Sequence, residues 1–377
     1  MKILIISGAR PQFIKLAPII DEILLNNEFE LYQLHTGQHF DENMSTIFFS
    51  ELNIPPPDSN LDINRGTHAE LVGRMLIEIE KTLIEQKPDA VLVAGDTNST
   101  IAGGLAAVKL QIPVIHLESG LRSFDYRMPE EINRRLTDHL SSLLITTSST
   151  ATETLISEGI KESWIFQTGD TMVDGILNNL DRAVKGSKML TNLGLEEQDY
   201  LLLTLHRQEN VDDKERLKAI LEALNELNHK IVYPIHPRTM GRIQQFELGY
   251  LLKSENFILT DPLGYLDFIQ LEKHAKMILT DSGGIQKEAL TLKVPCITLR
   301  DNTEWVETIE QGTNILVGAE KEKILAAVTY FNNRTNLEKI KWDNPYGDGT
   351  SSKVMVQEIL KRFKEDKLTI PTHYMIE

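Results

Sequence analysis

The stretch Ile278-Leu-Thr-Asp-Ser-Gly-Gly-Ile-Gln-Lys-Glu288 decides how this chain is read. Met277 to Leu279 are apolar and suit a buried strand, Asp281-Ser282-Gly283-Gly284 reads as a turn, and Ile285 to Leu292 read as a helix. Strand, glycine turn and helix in succession make a phosphate cradle. The glycines let the backbone approach an anion, and the N–H groups of the first helical turn point at it. Glu288, one turn into the helix, is placed to accept hydrogen bonds from a sugar diol. An ordinary strand-to-helix turn capped by Asp281 or Ser282 would use the same residues. The rest of the chain decides between the two.

On both sides of this stretch short apolar strands alternate with amphipathic helices. In the first half strands are expected at Ile3–Ser7, Glu30–His35, Ala90–Ala94, Val114–Glu118, Leu143–Thr147 and Ile165–Gln167. Helices are expected at Phe13–Leu25, Thr67–Gln86, Thr97–Lys109, Glu130–Ser141 and Ala151–Glu158. The pattern restarts after Thr168-Gly-Asp, with strands at Tyr200–Leu205, Ile231–Pro234, Phe257–Leu259, Met277–Leu279 and Cys296–Leu299. Such alternation implies parallel sheets covered on both faces. A chain of 377 residues accommodates two such domains. They are expected at 1–170 and 171–352, with Gly186-Ser187-Lys188 as a linker. The last stretch, 353–377, carries Val354, Ile359, Leu360 and Phe363 at helical spacing and is expected to pack back on the first domain.

Composition removes several function classes. A net charge of -16 argues against nucleic-acid binding, which needs a basic footprint. Cys296 is the only cysteine, so intramolecular disulfides and thiolate metal clusters are excluded. The apolar run at the N-terminus is too short for a signal peptide, and no stretch approaches the roughly 18 apolar residues of a membrane span. A cytoplasmic enzyme without a membrane partner is expected.

Ligands of open parallel sheets lie beyond the carboxyl ends of strands. Ser7-Gly8-Ala9-Arg10-Pro11-Gln12-Phe13-Ile14-Lys15 follows the first strand without a dinucleotide or Walker fingerprint. Arg10 and Lys15 flank a helix start, where a cation opposes the dipole unless an anion is present. Solvated surface charge accounts for Lys15 better than for Arg10. Gly95-Asp96-Thr97 and Glu118 each end a strand, and the helix between them is long enough for a right-handed crossover, which makes those strands neighbours. Two carboxylates facing one cleft are suited to acid–base work, although Asp96 would also serve as a helix cap. Glu130 and Glu131 follow Pro129 at a helix start, which dipole complementation alone explains. His206-Arg207 follows a strand of the second half and offers two donors to a diphosphate; His236-Pro-Arg238 is a weaker parallel.

Assembled in order, these pieces resemble the non-hydrolysing UDP-N-acetylglucosamine 2-epimerases nearly end to end. The matching stretches are Gly8-x-Arg10-Pro11-x-x-x-Lys15, Thr36-Gly-Gln38-His39, Lys87-Pro-Asp, Gly95-Asp96-Thr97, Glu118-x-Gly120-Leu121-Arg122 and Pro129-Glu130-Glu131-x-Asn133-Arg134. They continue through Thr168-Gly-Asp170-Thr171, His206-Arg207, Pro262-Leu-Gly-Tyr265-Leu266, Thr280-Asp-Ser-Gly-Gly-Ile-Gln286, Arg300-Asp301-x-Thr303-Glu304 and Asn344-Pro-Tyr-Gly-Asp-Gly349. The resemblance implies an α/β fold of two Rossmann-like domains with a central cleft, the glycosyltransferase B type. It implies reversible epimerisation at C2 of a UDP-N-acetylhexosamine by elimination and re-addition of UDP. No cofactor or metal is implied, and a homodimer is expected. Asp96, Glu118 and Glu130 match the acid–base carboxylates, with Lys15 and His206 at positions important for activity. Arg10, His206, Ser282, Gly283, Gly284 and Glu288 match the residues that hold UDP, and Phe268 the residue near uracil.

Three departures qualify the match. The segment from Arg122 to Pro129 is short, and Gln208 stands where a cation associated with allosteric activation is expected. Thr303-Glu-Trp305-Val306-Glu307 replaces Thr-Glu-Arg-Pro-Glu, a form resembling a sub-group that epimerises UDP-2,3-diacetamido-glucuronate. The extra groups of that sugar would call on Arg122, Arg127 or Arg238. A UDP-sugar glycosyltransferase and a non-catalytic UDP-sugar sensor rank below both epimerases.

Overall fold

A strand with no polar face has to be covered on both sides, and both sheets of this chain are built from such strands. The computed structural model describes residues 1–38 and 51–370, apart from the side chains of Arg10 and Pro11. The chain divides into two compact units, one of Met1–Gly175 with the segment from Pro345 onward, the other of Ile176–Asn344.

The first unit contains β1 (Lys2–Ser7), β2 (Glu30–His35), β3 (Ser59–Asn60), β4 (Ala90–Ala94), β5 (Val114–Ser119), β6 (Leu143–Thr146) and β7 (Ile165–Gln167). All pairings are parallel, in the order β3-β2-β1-β4-β5-β6-β7. Leu4, Ile6, Val91 and Val93 pack on one face against Met75, Ile79 and Leu83 of the helix His68–Gln86. The expected adjacency of the strands ending in Ala94 and Glu118 is present, with Ala94 opposite Leu117.

The second unit contains β8 (Tyr200–Thr204), β9 (Lys230–Pro234), β10 (Phe257–Thr260), β11 (Met277–Thr280), β12 (Cys296–Thr298) and β13 (Asn314–Leu316). They are again all parallel, in the order β10-β9-β8-β11-β12-β13. The short edge strands β3 and β13 are the two that apolar patterning did not anticipate. Strand order reverses between β1 and β4 in one sheet and between β8 and β11 in the other. Those switch points are where open α/β sheets receive ligands.

The unit border falls inside the helix Thr171–Gly186, after Gly175 rather than after 170, and the chain returns at Pro345 rather than 353. The cause is local stitching. Asp170 N donates to Tyr346 O at 2.6 Å, and Asp174 accepts from Ser351 N and from Ser352 N and Oγ. Ser187, expected in a linker, instead donates to Asp267 within the second unit. The terminal helix Ser351–Lys364 packs on the helix Arg10–Leu24 of the first unit.

Candidate active site

At the first switch point the loop after β1 is fastened to the end of β4 by one side chain. Gln12 Oε1 accepts from Gly8 N at 2.8 Å and Ala9 N at 3.0 Å, and its Nε2 donates to Ala94 O at 2.7 Å. That closure starts the helix at Arg10, earlier than the expected Phe13. Gly8 has no room for a side chain: a Cβ there would lie 2.0 Å from Ser99 Oγ and 2.2 Å from Thr36 Oγ1. Gln38 accepts from Ser99 N and Oγ beside it. His39 lies outside the described residues, as does the side chain of Arg10.

Glu118, the next-to-last residue of β5, sits at a register shift with φ of 63°, a left-handed conformation that costs a non-glycine residue roughly 1–2 kcal/mol. Such an outlier points to function. Its carboxylate is almost completely buried and forms a short ion pair with Lys15 Nζ. Asp96, at the end of the adjacent strand, is not the cap of the following helix. Thr97 fills that role by accepting from Thr100 N, which leaves the Asp96 carboxylate to pair with Arg134 Nη2 at 2.5 Å. Arg134 lies on the helix Pro129–Leu140, whose first turn carries Glu130. Glu130 is half-buried and makes no ion pair among the described residues. Lys15, Asp96 and Glu118 therefore gather at one end of the first sheet, and Glu130 stands one turn before Arg134 on the helix that reaches Asp96.

At the second switch point the choice between cap and cradle resolves. The helix Gly283–Leu292 starts with Ser282 making no side-chain cap bond. Asp281, fully buried, does not cap either: it accepts from His206 N, Arg207 N and Asn210 Nδ2, binding the loop after β8 to the loop after β11. The N–H groups of the first helical turn thus lack a side-chain cap. Beside them, the Arg207 guanidinium comes to 4.0 Å from where a Gly283 side chain would begin, and Trp305 Nε1 to 3.1 Å. Lys287 Nζ lies over that indole, 3.7 Å from the ring centroid. His206 is half-exposed, its Nδ1 at 3.2 Å from Asp281.

Glu288 is 4% exposed and faces Glu272 of the helix Tyr265–His274. Burial, and then the Glu288 charge, pushes the Glu272 carboxyl well above the usual carboxylate range, so Glu272 is a neutral acid at the Glu288 carboxylate. Phe268, on the same helix, is half-buried against the core of the second unit.

Arg122, offered for the sugar, lies within the fold of the first unit. Its guanidinium is buried and grips Glu158 through Nε and Nη2 and Asp138 through Nη1, so it faces the fold interior rather than a ligand. Arg127 pairs with Asp125 and Arg238 with Asp212, so all three arginines offered for a charged sugar substituent are engaged. Sequence reasoning gave no part to Gln12, His116 and Asp138, and read Glu131 and Asp281 only as helix-start residues. The signal for Asp281 was present in the quoted cradle motif. His116 looked like one more residue within a strand.

Two doubly wound parallel sheets, each with its polar loops at the switch point, place the chain in the class of two-domain Rossmann-like proteins of the glycosyltransferase B type. The sequence model of the family described as UDP-N-acetylglucosamine 2-epimerase matches residues 21–360. The chain is 52% identical over 364 residues to UDP-N-acetylglucosamine 2-epimerase of Methanocaldococcus jannaschii, covering 95% of this chain and 98% of that one. It is 47% identical over 369 residues to UDP-2,3-diacetamido-2,3-dideoxy-D-glucuronate 2-epimerase of Pseudomonas aeruginosa, covering 96% and 100%. The crystal structure of the M. jannaschii enzyme in complex with UDP-GlcNAc and UDP superimposes with a TM-score of 0.89 at 51% identity, over 96% of this chain and 100% of that one. The chain belongs to the UDP-N-acetylglucosamine 2-epimerase family.

Proposed function

We propose that the protein interconverts UDP-GlcNAc and UDP-ManNAc by eliminating and re-adding UDP, supplying a precursor for surface glycans. The observation that carries this reading is the strained, lysine-paired Glu118 of the first unit; the uncapped, arginine-flanked helix start within the second unit supports it. The C2 hydrogen of the sugar is not acidic, so the leaving group has to be held strongly and the proton moved by placed carboxylates. In the forward direction a carboxylate takes the C2 proton, the C–H electrons form the C1–C2 double bond, and the C1–oxygen bond breaks with its electrons going to UDP. On return the proton reaches C2 from the opposite face and UDP oxygen bonds to C1.

Asp96, Glu118 and Glu130 move the proton, and Lys15 holds Glu118 in place. Arg10, His206, Ser282, Gly283 and Gly284 hold the diphosphate, Glu288 the ribose and Phe268 the uracil. Arg122 supports this machinery from within the fold. UDP-2,3-diacetamido-glucuronate is the second reading, favoured by Trp305 and by the Pseudomonas relative's identity. The engagement of Arg122, Arg127 and Arg238 favours the simpler sugar. Incubation of each sugar in deuterated water, followed by proton NMR, decides: epimer with deuterium at C2 supports the reading, and no reaction with either sugar overturns it. Homodimerisation in the cytoplasm belongs to the same proposal, and sedimentation velocity tests the dimer.

A further inference from the structure

Beneath the carboxylates of the first unit runs a ring of alternating acids and bases. It starts at the Gly95 carbonyl, which lies 2.8 Å from His116 Nε2, while His116 Nδ1 lies 2.7 Å from Asp138. Asp138 meets Arg122 at 2.7 Å, Arg122 meets Glu158 at 2.6 Å, and Glu158 meets Arg135 at 2.9 Å. Arg135 Nε donates to Glu131 at 3.1 Å, Arg134 Nη1 to Glu131 at 3.3 Å, and Arg134 Nη2 to Asp96 at 2.5 Å. Asp96 follows Gly95 in the chain, so the ring closes.

The innermost pairs, among His116, Asp138 and Arg122, are fully buried, and ion pairs drawn from water add little stability over an apolar filling; their clearest return is a fixed geometry. Here the geometry fixed is that of Asp96. The peptide before it is held by His116, its own carbonyl accepts from Asn133 Nδ2 at 2.9 Å, and its carboxylate is held by Arg134. Arg134 is oriented in turn by Glu131, fully buried, which also accepts from Ser123 N at 2.8 Å and Ser123 Oγ at 3.1 Å. Glu131 therefore joins the loop after β5 to the arginine that holds Asp96.

We propose that the closed ring sets the orientation of Asp96 for proton transfer, with Glu131 as its positioning residue; this rests on the acid–base role given to Asp96 above. Glu131→Gln keeps the side-chain size and removes the charge that orients Arg134. A misplacement of the acid–base group lowers the rate while substrate, held by the residues proposed above for UDP, still binds. The expected result is a fall in kcat of about tenfold to a hundredfold with KM changed less than about twofold. The test is a double-mutant cycle read by deuterium incorporation at C2. If Glu131 acts through Asp96, Asp96→Asn and Asp96→Asn with Glu131→Gln react equally slowly. A loss that merely reflected weakened folding would instead multiply in the double variant, and that result overturns the proposal. So does Glu131→Gln at the wild-type rate. Should Glu131→Gln fail to fold, Arg135→Gln, at a partly exposed position of the ring, takes its place in the same cycle with the same expected non-additivity. An inactive wild type, or Asp96→Asn at full rate, defeats the underlying reading and the ring together. An active wild type, a slow Asp96→Asn and a multiplicative double variant defeat the ring alone.

Discussion

Replacing Glu118 by Gln separates chemistry from packing at the candidate site. The side chains of Lys15 and Glu118 are 17% and 4% exposed, so their ion pair lies between the surface and fully buried cases. Exposed pairs contribute up to about 1 kcal/mol, whereas removing one partner of a buried pair costs about 3–5 kcal/mol. For Glu118→Gln we expect a loss of about 2–3 kcal/mol, because Lys15 keeps partial access to water. For a unit of this size that lowers Tm by about 4–12 °C. The rate of deuterium entry at C2 is expected to fall by about 10²–10⁴, the usual worth of a general acid–base group. UDP affinity, measured by calorimetry, stays at the wild-type value, because the groups proposed to hold UDP phosphate lie mainly in the other unit.

The discriminating variant is Lys15→Met combined with Glu118→Gln. It removes the unpaired ammonium left by the single change, so Tm recovers most of its loss while exchange at C2 stays at the reduced rate of Glu118→Gln. Recovery of both would mean that Glu118 matters only for folding. Wild-type exchange in Glu118→Gln alone would remove Glu118 from the reaction altogether.

Other outcomes follow from particular contacts. Gly283→Ala places a methyl group 3.1 Å from Trp305 Nε1 at the helix start; UDP affinity is expected to fall about tenfold to a hundredfold, and unchanged affinity in calorimetry would refute the cradle. Glu272 holds a proton in the folded state that the unfolded chain releases above about pH 4, so its contribution to stability falls as pH rises from there toward its raised folded value. Glu272→Gln is therefore expected to exceed the wild type in Tm by a margin that widens from acid to neutral pH, and parallel Tm profiles would refute a neutral Glu272. Burial pushes the Cys296 thiol up to about 12, so a thiol reagent at neutral pH reacts only at the rate of unfolding; fast labelling of the native protein would contradict that burial.

Much of the fold was legible because the apolar side-chain pattern sets it locally. Runs such as Ala90–Ala94 have no polar face, and a long intervening helix fixes the neighbour of that strand as the one ending in Glu118. Lys15, Asp96, Glu118, His206 and the Ser282–Gly284 turn were legible as candidates for a related reason: each comes at or after the carboxyl end of a strand, and strand ends in an open parallel sheet share one side. The edge strands escaped notice because two or three residues carry no periodicity. Glu130 and Glu131 were indistinguishable in sequence, since helix-dipole complementation accounts for both. Only the folded helix leaves one half-buried and encloses the other in the charge ring. Arg122 misled for a related reason, as a cation after a strand looks like a ligand until Asp138 and Glu158 arrive from other elements.

The supporting layer follows a different rule from the strand ends. His116, Arg122, Glu131, Asp138 and Glu158 come from a strand, a loop, one helix and the residue that follows another, and only Glu131 and Asp138 share an element; side-chain directions across elements link the set. The cradle illustrates the same division. In sequence, Asp281 and Ser282 were equally good caps, and a capped helix would have weakened the claim to an anion. In the fold Asp281 is drawn across the sheet by the backbone N–H groups of His206 and Arg207, and Ser282 makes no cap bond. What leaves the helix start without a side-chain cap is therefore a contact between neighbouring strand ends far apart in the chain. The local motif states what an anion would need, and the tertiary contact determines that those N–H groups are not already taken by a neighbouring side chain.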